Sequence, residues 1–141
     1  NIDGSILNII PYGDLVSHYS WIENENIIAF MKDVNNILGY FKINIKNLSL
    51  IRIEGEHLLA VDGHPSMYNH LIYTDTYPSK QGFQNLGCFD LNGKYNLIGQ
   101  FYHPIKFFGA TRCDLHPRIT NNYIFVDTVF SGKRRLAWMK R

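Results

Sequence analysis

The sequence predicts an all-β protein that forms part of a β-propeller, and three observations lead to this prediction. First, one segment is repeated at a spacing of 52 residues, so that His64 and Asp75 match His116 and Asp127. Second, the stretches between polar turns are short and rich in β-branched and aromatic residues. Third, aromatic residues make up 14% of the 141 residues, which favours sheet over helix. Repeats of about 40–50 residues are typical of propellers, whose blades are four-stranded antiparallel sheets.

A third and weaker copy of the repeat begins at His18, 46 residues before His64. The turn in this copy is two residues longer than in the second copy, so that Ile28 takes the place of Ile72. Its predicted strands are "SHYSWI", "NIIAFM", "ILGYFKINI" and "LSLIRIEG". The first alternates in polarity and the second is an apolar run, and polar turns separate them.

The second and third copies show the same order of short strands. In the second copy the strands are "HPSMY", "HLIYTDT", "FQNLGCFDL" and "YNLIGQFY". The Asn92-Gly93 pair between the last two is a strong signal for a hairpin turn. In the third copy the strands are "HPRIT", "NYIFVDT" and "RRLAWMK". No stretch has a convincing helical period with capping residues.

We therefore expect a single partial propeller domain over residues 1–141, containing three blades' worth of strands. Residues 1–10 are assigned to the last strand of a preceding blade, and the blades follow at approximately 14–55, 60–103 and 112–141. Closed propellers have about 4–8 blades. The chain is thus expected to be half or a fragment of a six- or seven-bladed propeller. Its partner is either the remainder of that propeller or a second copy that closes the ring, and the Lys140-Arg141 ending favours a fragment.

Composition argues against nucleic-acid and membrane functions. The formal net charge is +2, and one short basic cluster, at residues 132–135, lies in an expected turn. A nucleic-acid footprint needs many clustered Lys and Arg residues. No run approaches the roughly 18 apolar residues that a membrane span requires. No signal segment is visible, but the chain begins at Asn1, so the compartment is left unassigned.

The cysteines and tryptophans are expected in the interior. Cys88 and Cys113 have neither metal-binding nor redox spacing and are predicted to be buried thiols. Trp21 and Trp138 lie in predicted strands and are assigned to the core between blades.

The repeated histidines are candidate metal ligands. In a propeller the first strand of each blade runs along the central channel, so His18, His64 and His116 are expected near the axis at one mouth. Three clustered imidazoles suit Mn²⁺, Zn²⁺ or Fe²⁺. Each ring needs an acceptor for its second nitrogen, and the candidates are Asp62, Asp75, Asp114 and Asp127. The alternative is structural, since imidazole can also bond a neighbouring blade's backbone.

Five further residues are candidates for binding a substrate at the same mouth. Arg112 and Arg118 flank His116, and guanidinium groups bind carboxylates by paired hydrogen bonds. Tyr77 lies in a loop where an aromatic ring can stack on a sugar. The other two candidates are Asp75 and Asp127, at the ends of second strands. The alternatives are a rim salt bridge for the arginines, an ordinary loop aromatic for Tyr77, and anchors of turns or blades for the aspartates.

Two segments resemble the blades of TolB-like propellers, namely "GHPSMYNHLIYTDT" and "LHPRITNNYIFVDTVFSGKRRLAWM". In each a first strand, a short turn and a second strand occur in that order, and in the second segment an aromatic strand follows. The His-Pro openings and "VSHYSW" are more specifically similar to the oligogalacturonate lyases. These are propellers that cleave pectin-derived oligosaccharides by β-elimination. The resemblance covers nearly the whole chain as blades, and the likeness to the lyases depends on a few residues.

The resemblance implies a Mn²⁺ ion held by histidines and a glutamine, with one blade supplying a His-x-His pair. His116 matches the second histidine of that pair, and His18 or His64 matches the ligand from another blade. Asp114 stands in place of the first histidine, and Thr111 stands near the expected glutamine. The arginine that is catalytic in the family belongs to an earlier blade, so no catalytic residue is assigned.

Two classes of function follow from this resemblance. The first is a lyase-like, carbohydrate-active protein in which a divalent metal polarises the carboxylate of an acidic oligosaccharide and a basic residue removes the α-proton. The second is a non-catalytic propeller that binds a protein or a glycan, or an inactive fragment of a larger propeller. Tight metal binding that is lost on His→Ala substitution favours the first class, and a metal-free channel with a broad polar rim favours the second.

Overall fold

The first of three antiparallel sheets is formed by the first copy of the repeat. The computed structural model describes residues 3–4 and 8–141. The sheet contains β1 (Val16–Glu23), β2 (Asn26–Lys32), β3 (Leu38–Asn44) and β4 (Leu50–Arg52), paired in that order. Each strand pairs with the next strand along the chain, so the sheet is a simple meander.

The second and third sheets repeat this meander. The second sheet contains β5 (Ser66–Tyr68), β6 (Leu71–Asp75), β7 (Phe83–Phe89) and β8 (Tyr95–Tyr102). The third contains β9 (Arg118–Ile119), β10 (Tyr123–Thr128) and β11 (Arg135–Lys140). Two short 3₁₀ helices, at His57–Ala60 and Gly109–Thr111, lie in the connections that precede β5 and β9.

The all-β class and the position of each sheet strand were predicted correctly. Every strand predicted within the three copies is present as one of β1 to β11, and the three sheets contain four, four and three strands. None of these sheets closes on itself. The strand expected within residues 1–10 lies partly outside the described residues, and residues 8–10 are not in a strand.

The hairpin predicted at Asn92-Gly93 is also confirmed and shows how local chemistry sets these turns. The carboxylate of Asp90 accepts hydrogen bonds from the backbone N–H groups of Asn92 and Lys94, at 2.9 and 3.0 Å. Gly93 has a φ of +80°. A Cβ at this position would overlap the carbonyl oxygen of Glu54, so the turn also fits closely against the end of the first sheet.

The main core lies between the first and second sheets. It includes Phe30 and Tyr40 from the first sheet and Ile72 and Phe89 from the second, each at most 2% exposed. The hydroxyl groups of Tyr40 and Thr74 are 2.9 Å apart and join the two sheets inside this core. Because full burial of one large apolar side chain contributes about 1.5–3 kcal/mol, this layer is a principal source of stability.

The second core lies on the opposite face of the second sheet. Successive strand residues point to opposite faces, so Tyr73, next to Ile72, packs toward the third sheet. It joins a buried cluster that includes Leu86, Leu115 and Val126. The three sheets are therefore stacked face to face, with the second sheet between the other two.

The outer faces of the first and third sheets are only partly covered. Trp21 and Trp138 lie on these faces, opposite Ile27 and Phe125 in the strand register. Among the described residues they are not in a core, since they are 59% and 63% exposed, and their assignment to a core between blades stays a prediction. They are exposed because both point away from the second sheet, on faces that no other described sheet covers.

Two further expectations concern the cysteines and the membrane. Cys88 and Cys113 are free and buried, as predicted. Within the described ranges, helices are too short to cross a membrane.

Candidate functional site

Three histidine rings form a row at one end of the three sheets. His18 is in β1, and His64 and His116 each stand two residues before the first strand of their own sheet. The ring centroids of His18 and His64 are 4.0 Å apart, as are those of His64 and His116. The prediction that the repeat brings these three side chains together is confirmed. We call His18, His64 and His116 the histidine row.

Each ring in the histidine row has an aspartate beside its Nδ1 atom. His18 lies 3.0 Å from Asp62, and His64 lies 2.9 Å from Asp75. For His116 the corresponding distance, to Asp127, is 3.5 Å. A carboxylate at Nδ1 orients an imidazole and presents Nε2 as the nitrogen free to bind a metal or a proton.

Asp75 is the most deeply placed of these carboxylates and connects two copies of the repeat. Its side chain is fully buried. It accepts hydrogen bonds from the backbone N–H groups of His64 and His116, at 2.7 and 2.9 Å, as well as from the His64 ring. These bonds help to hold His116 at a φ of +42°, in the left-handed region that non-glycine residues adopt at a cost.

The local chain conformation makes this arrangement possible. A Cβ at Gly63 would overlap the carbonyl oxygen of Asp75, so only glycine allows the chain before His64 to pass this close to the end of β6. Asp75 therefore lies within reach of both the backbone and the ring of His64.

The charges of His64 and Asp75 stabilise each other. Burial alone would lower the pKa of His64, but the hydrogen bond and charge of Asp75, with the charges of Asp114 and Asp62, outweigh burial and raise it. Burial alone would raise the pKa of Asp75, but the His64 ring and the two backbone N–H groups outweigh burial and lower it. The pair therefore favours an ionised carboxylate beside a readily protonated ring.

Asp62 connects the histidine row to a tyrosine. Its carboxylate accepts hydrogen bonds from Ser17, at 2.5 Å, and from the phenol of Tyr77, at 3.3 Å, in addition to contacting His18. Burial, followed by the charge of Asp62, raises the pKa of Tyr77. The phenol is thus kept protonated and acts as a donor. Its ring centroid lies 6.2 Å from that of His64.

The predicted arginines lie on two sides of the histidine row. Arg112 contacts one oxygen of Asp114 through Nε at 3.0 Å and Nη2 at 2.9 Å. Its guanidinium carbon also lies 4.3 Å from the centroid of the Tyr77 ring. Arg118 is more exposed and lies 3.5 Å from Asp127.

One group of donor atoms is suitable for a metal ion. His64, Asp114 and His116 each offer a ligand atom, and these three atoms lie within 4.8 Å of one another. We call these three residues the donor cluster. Asp114 is 7% exposed, and its Oδ1 atom is buried without a hydrogen-bond partner among the described residues. A buried carboxylate oxygen is costly unless a cation or donor satisfies it.

The donor set fits a divalent metal chemically. Two imidazoles and one carboxylate are ligands used by Zn²⁺ and Fe²⁺ sites that leave coordination positions open, and Mn²⁺ accepts the same donors. The surrounding charge is also favourable, because four aspartates lie around the row, namely Asp62, Asp75, Asp114 and Asp127, against the two arginines. His18 contacts His64 but lies outside the donor cluster, so its assignment as a ligand stays a prediction.

Asp114 was not identified as a ligand from the sequence, although the repeat contained the necessary signal. Asp62 and Asp114 are separated by the same 52 residues as His64 and His116. The repeat therefore extends one residue upstream of the segments that begin at Gly63 and Leu115. This extension predicts that each aspartate lies beside the histidine of the preceding copy.

Comparisons of the chain with protein-family models and with curated proteins gave no match. The site is therefore interpreted from its own geometry.

Proposed function

We propose that this chain is part of a carbohydrate-active β-propeller, related to the oligogalacturonate lyases, that holds a divalent metal in the donor cluster and binds an acidic oligosaccharide beside it. One observation supports the metal assignment most directly: the Asp114 carboxylate lies within 4.8 Å of the His64 and His116 donor atoms, and its Oδ1 atom is buried without a partner among the described residues. The catalytic residue is left unassigned.

The propeller assignment is supported by the way in which the repeats are stacked. Three consecutive meanders pack face to face, and each places its histidine at the same end. Blades of a propeller have this arrangement. The outer faces also expose apolar residues, including Tyr19 and Trp21 on the first sheet and Leu136 and Trp138 on the third. We propose that further sheets cover them, supplied by a second copy or by the remainder of a longer propeller.

The residues of this chain have different roles at the proposed site. His64 and His116 supply nitrogen donors that Asp75 and Asp127 orient, and Asp114 supplies an oxygen donor. A bound divalent cation would polarise the carboxylate of a uronate unit and acidify the adjacent C–H group.

Arg118, Arg112 and Tyr77 each lie against a residue of the donor cluster, namely His116, Asp114 and His64, and can bind the sugar. Arg118 is 63% exposed at the side chain, which leaves N–H groups available for a carboxylate. Arg112 and Tyr77 form a stack in which the guanidinium is already aligned by Asp114. His18 is oriented by Asp62 and so presents Nε2 next to the row, where it can accept or donate a proton.

Binding of trigalacturonate, an acidic trisaccharide, tests the proposal directly. Calorimetric titration should show binding in the presence of Mn²⁺ that weakens about tenfold or more when EDTA replaces the metal. Asp114→Asn should weaken binding similarly, whereas Asp14→Asn, which changes an exposed aspartate paired with Lys32, should not. Equal binding with Mn²⁺ and with EDTA would overturn the assignment of a metal-dependent sugar site.

A non-catalytic role is the second candidate, and it is favoured by the fact that no catalytic residue is assigned among the described residues. In that case the chain binds sugar as one part of a larger assembly. Mass spectrometry of trigalacturonate after incubation with the Mn²⁺-loaded chain separates the two, since β-elimination yields an unsaturated product and simple binding yields none.

A further inference from the structure

A groove beside the histidine row is lined by two loops and has a volume of about 570 Å³. One wall is the connection between β6 and β7, at residues 77–82, and the other is the connection between β8 and β9, at residues 102–112. We call this cavity the loop groove. His64, Asp114 and His116 are not among the described residues that line it.

The two walls are fixed to each other at the base of the loop groove. The backbone N–H of His103 donates to the carbonyl oxygen of Gly82 at 2.7 Å. The His103 ring is buried, and its Nε2 accepts the backbone N–H of Cys113 at 3.3 Å. These bonds use the backbone of Gly82, His103 and Cys113 and the ring of His103, so they do not involve the side chains of Lys80 and Phe108.

The lining combines aromatic rings with positive charge. Phe108 is 75% exposed and Tyr102 is 50% exposed, so both rings present free faces. Lys80 and Arg112 also line the loop groove, and no carboxylate is among the described residues that line it. The donor cluster beside it contains the Asp114 carboxylate and so favours a metal cation, whereas the lining of the loop groove favours an anionic ligand.

The loop groove and the donor cluster are connected through two residues. Arg112 and Tyr77 line the loop groove, while Arg112 binds Asp114 and the ring centroid of Tyr77 lies 6.2 Å from that of His64. The loop groove therefore borders the donor cluster at the Tyr77–Arg112 stack.

We propose that the loop groove binds a further anionic sugar unit of the same oligosaccharide whose neighbouring unit lies at the metal site. A uronate ring fits this chemistry because its C–H face packs on an aromatic ring and its carboxylate pairs with Lys80 or Arg112. This inference rests on the proposed function for the position of the neighbouring unit. The chemistry of the loop groove itself does not depend on a metal.

Calorimetric titrations with galacturonate, trigalacturonate and neutral maltotriose test the inference in Mn²⁺ and in EDTA. We expect Phe108→Ala and Lys80→Gln each to weaken trigalacturonate binding by about two- to tenfold. Both variants should leave the affinity for Mn²⁺ unchanged.

Two matched variants provide controls on the same sheet. Leu97→Ala changes an apolar residue on β8 that is 53% exposed, and Lys94→Gln changes a lysine in the turn at the opposite end of the β7–β8 hairpin. Neither should alter the binding of trigalacturonate.

The outcomes separate this inference from the proposed function. Metal-dependent trigalacturonate binding that Phe108→Ala and Lys80→Gln leave unchanged overturns the loop groove alone. Weak binding in EDTA that both variants abolish supports the loop groove even if Mn²⁺ does not bind. Equal affinity for maltotriose overturns the charge assignment, and the absence of any trigalacturonate binding overturns the inference entirely.

Discussion

Asp62 and Asp114 occupy equivalent positions in two copies of the repeat, 52 residues apart, but they make different contacts. Asp62 binds the ring of His18, in the preceding copy, and both of its oxygens have partners. Asp114 lies near His64, also in the preceding copy, but its Oδ1 atom has no partner among the described residues. The same position thus orients a histidine in one copy and carries the proposed metal ligand in the next.

The first prediction concerns thermal stabilisation by metal. At Mn²⁺ concentrations about 100 times the Kd, the wild-type chain should gain about 2.7 kcal/mol and its Tm should rise by several degrees. Asp114→Ala should abolish this rise because the oxygen donor is lost. Asp62→Asn should keep it, and differential scanning calorimetry distinguishes the two. A rise of equal size in Asp114→Ala would show that Asp114 does not bind the metal.

The second prediction concerns Asp75 as the anchor between the second and third copies. Asp75→Ala leaves the N–H groups of His64 and His116 and the His64 ring without their acceptor in a buried position. The free energy of unfolding should fall by about 3–5 kcal/mol. Asp127→Ala, at the equivalent but more exposed position, should cost about 1 kcal/mol or less. Urea denaturation measures both, and similar losses would contradict the anchoring role.

The third prediction is a dependence of stability on pH in metal-free protein. The pKa of Asp75 is lowered on folding, so its contribution is present above about pH 3.9 and is lost as the pH falls through the folded pKa. The pKa of His64 is raised, so its contribution is present below about pH 6.5 and is lost as the pH rises through the folded pKa. The pair therefore stabilises the fold most between about pH 4 and 6.5.

His64→Gln isolates the part of this dependence that belongs to the histidine. In thermal melts with EDTA present, the difference in Tm between the wild type and His64→Gln should shrink as the pH rises above about 6.5. A difference that stays constant across this range would mean that the ion pair does not stabilise the fold.

The fourth prediction tests the contact between the first two sheets. Gly93 combines a positive φ with a Cβ position that overlaps the carbonyl oxygen of Glu54. Gly93→Ala should therefore destabilise the fold by about 2–4 kcal/mol, through backbone strain and overpacking. At Gly99 an added Cβ would meet only the ring of Phe101, at 3.8 Å, so Gly99→Ala serves as the control. Equal unfolding midpoints of the two variants in urea would contradict the close approach of the two sheets.

The strands were predictable from local sequence patterns, and the histidine row was predictable from the repeat. Alternating and apolar runs between polar turns identified β1 to β11, and the 52-residue offset identified His64 and His116 as equivalent. The exposure of Trp21 and Trp138 was not predictable, because a strand pattern gives the two faces of a sheet but not which face is covered.

Partners that come from different copies were harder to predict. Asp62 pairs with a histidine 44 residues earlier, and a single strand pattern contains no information about such a contact. In the first copy Met31 stands where the second and third copies have Asp75 and Asp127, so His18 takes its acceptor from the next copy instead. The Tyr77–Arg112 stack likewise forms only when two loops meet.

Equilibrium dialysis against Mn²⁺, followed by metal quantification, is the most direct test of the proposed metal site. The wild-type chain and Asp14→Asn should each retain about one Mn²⁺ ion per chain, because the donor cluster is intact in both. Asp114→Ala and His64→Ala should retain none. Absence of Mn²⁺ from the wild-type chain, or its full retention in Asp114→Ala, would contradict a metal site formed by His64, Asp114 and His116.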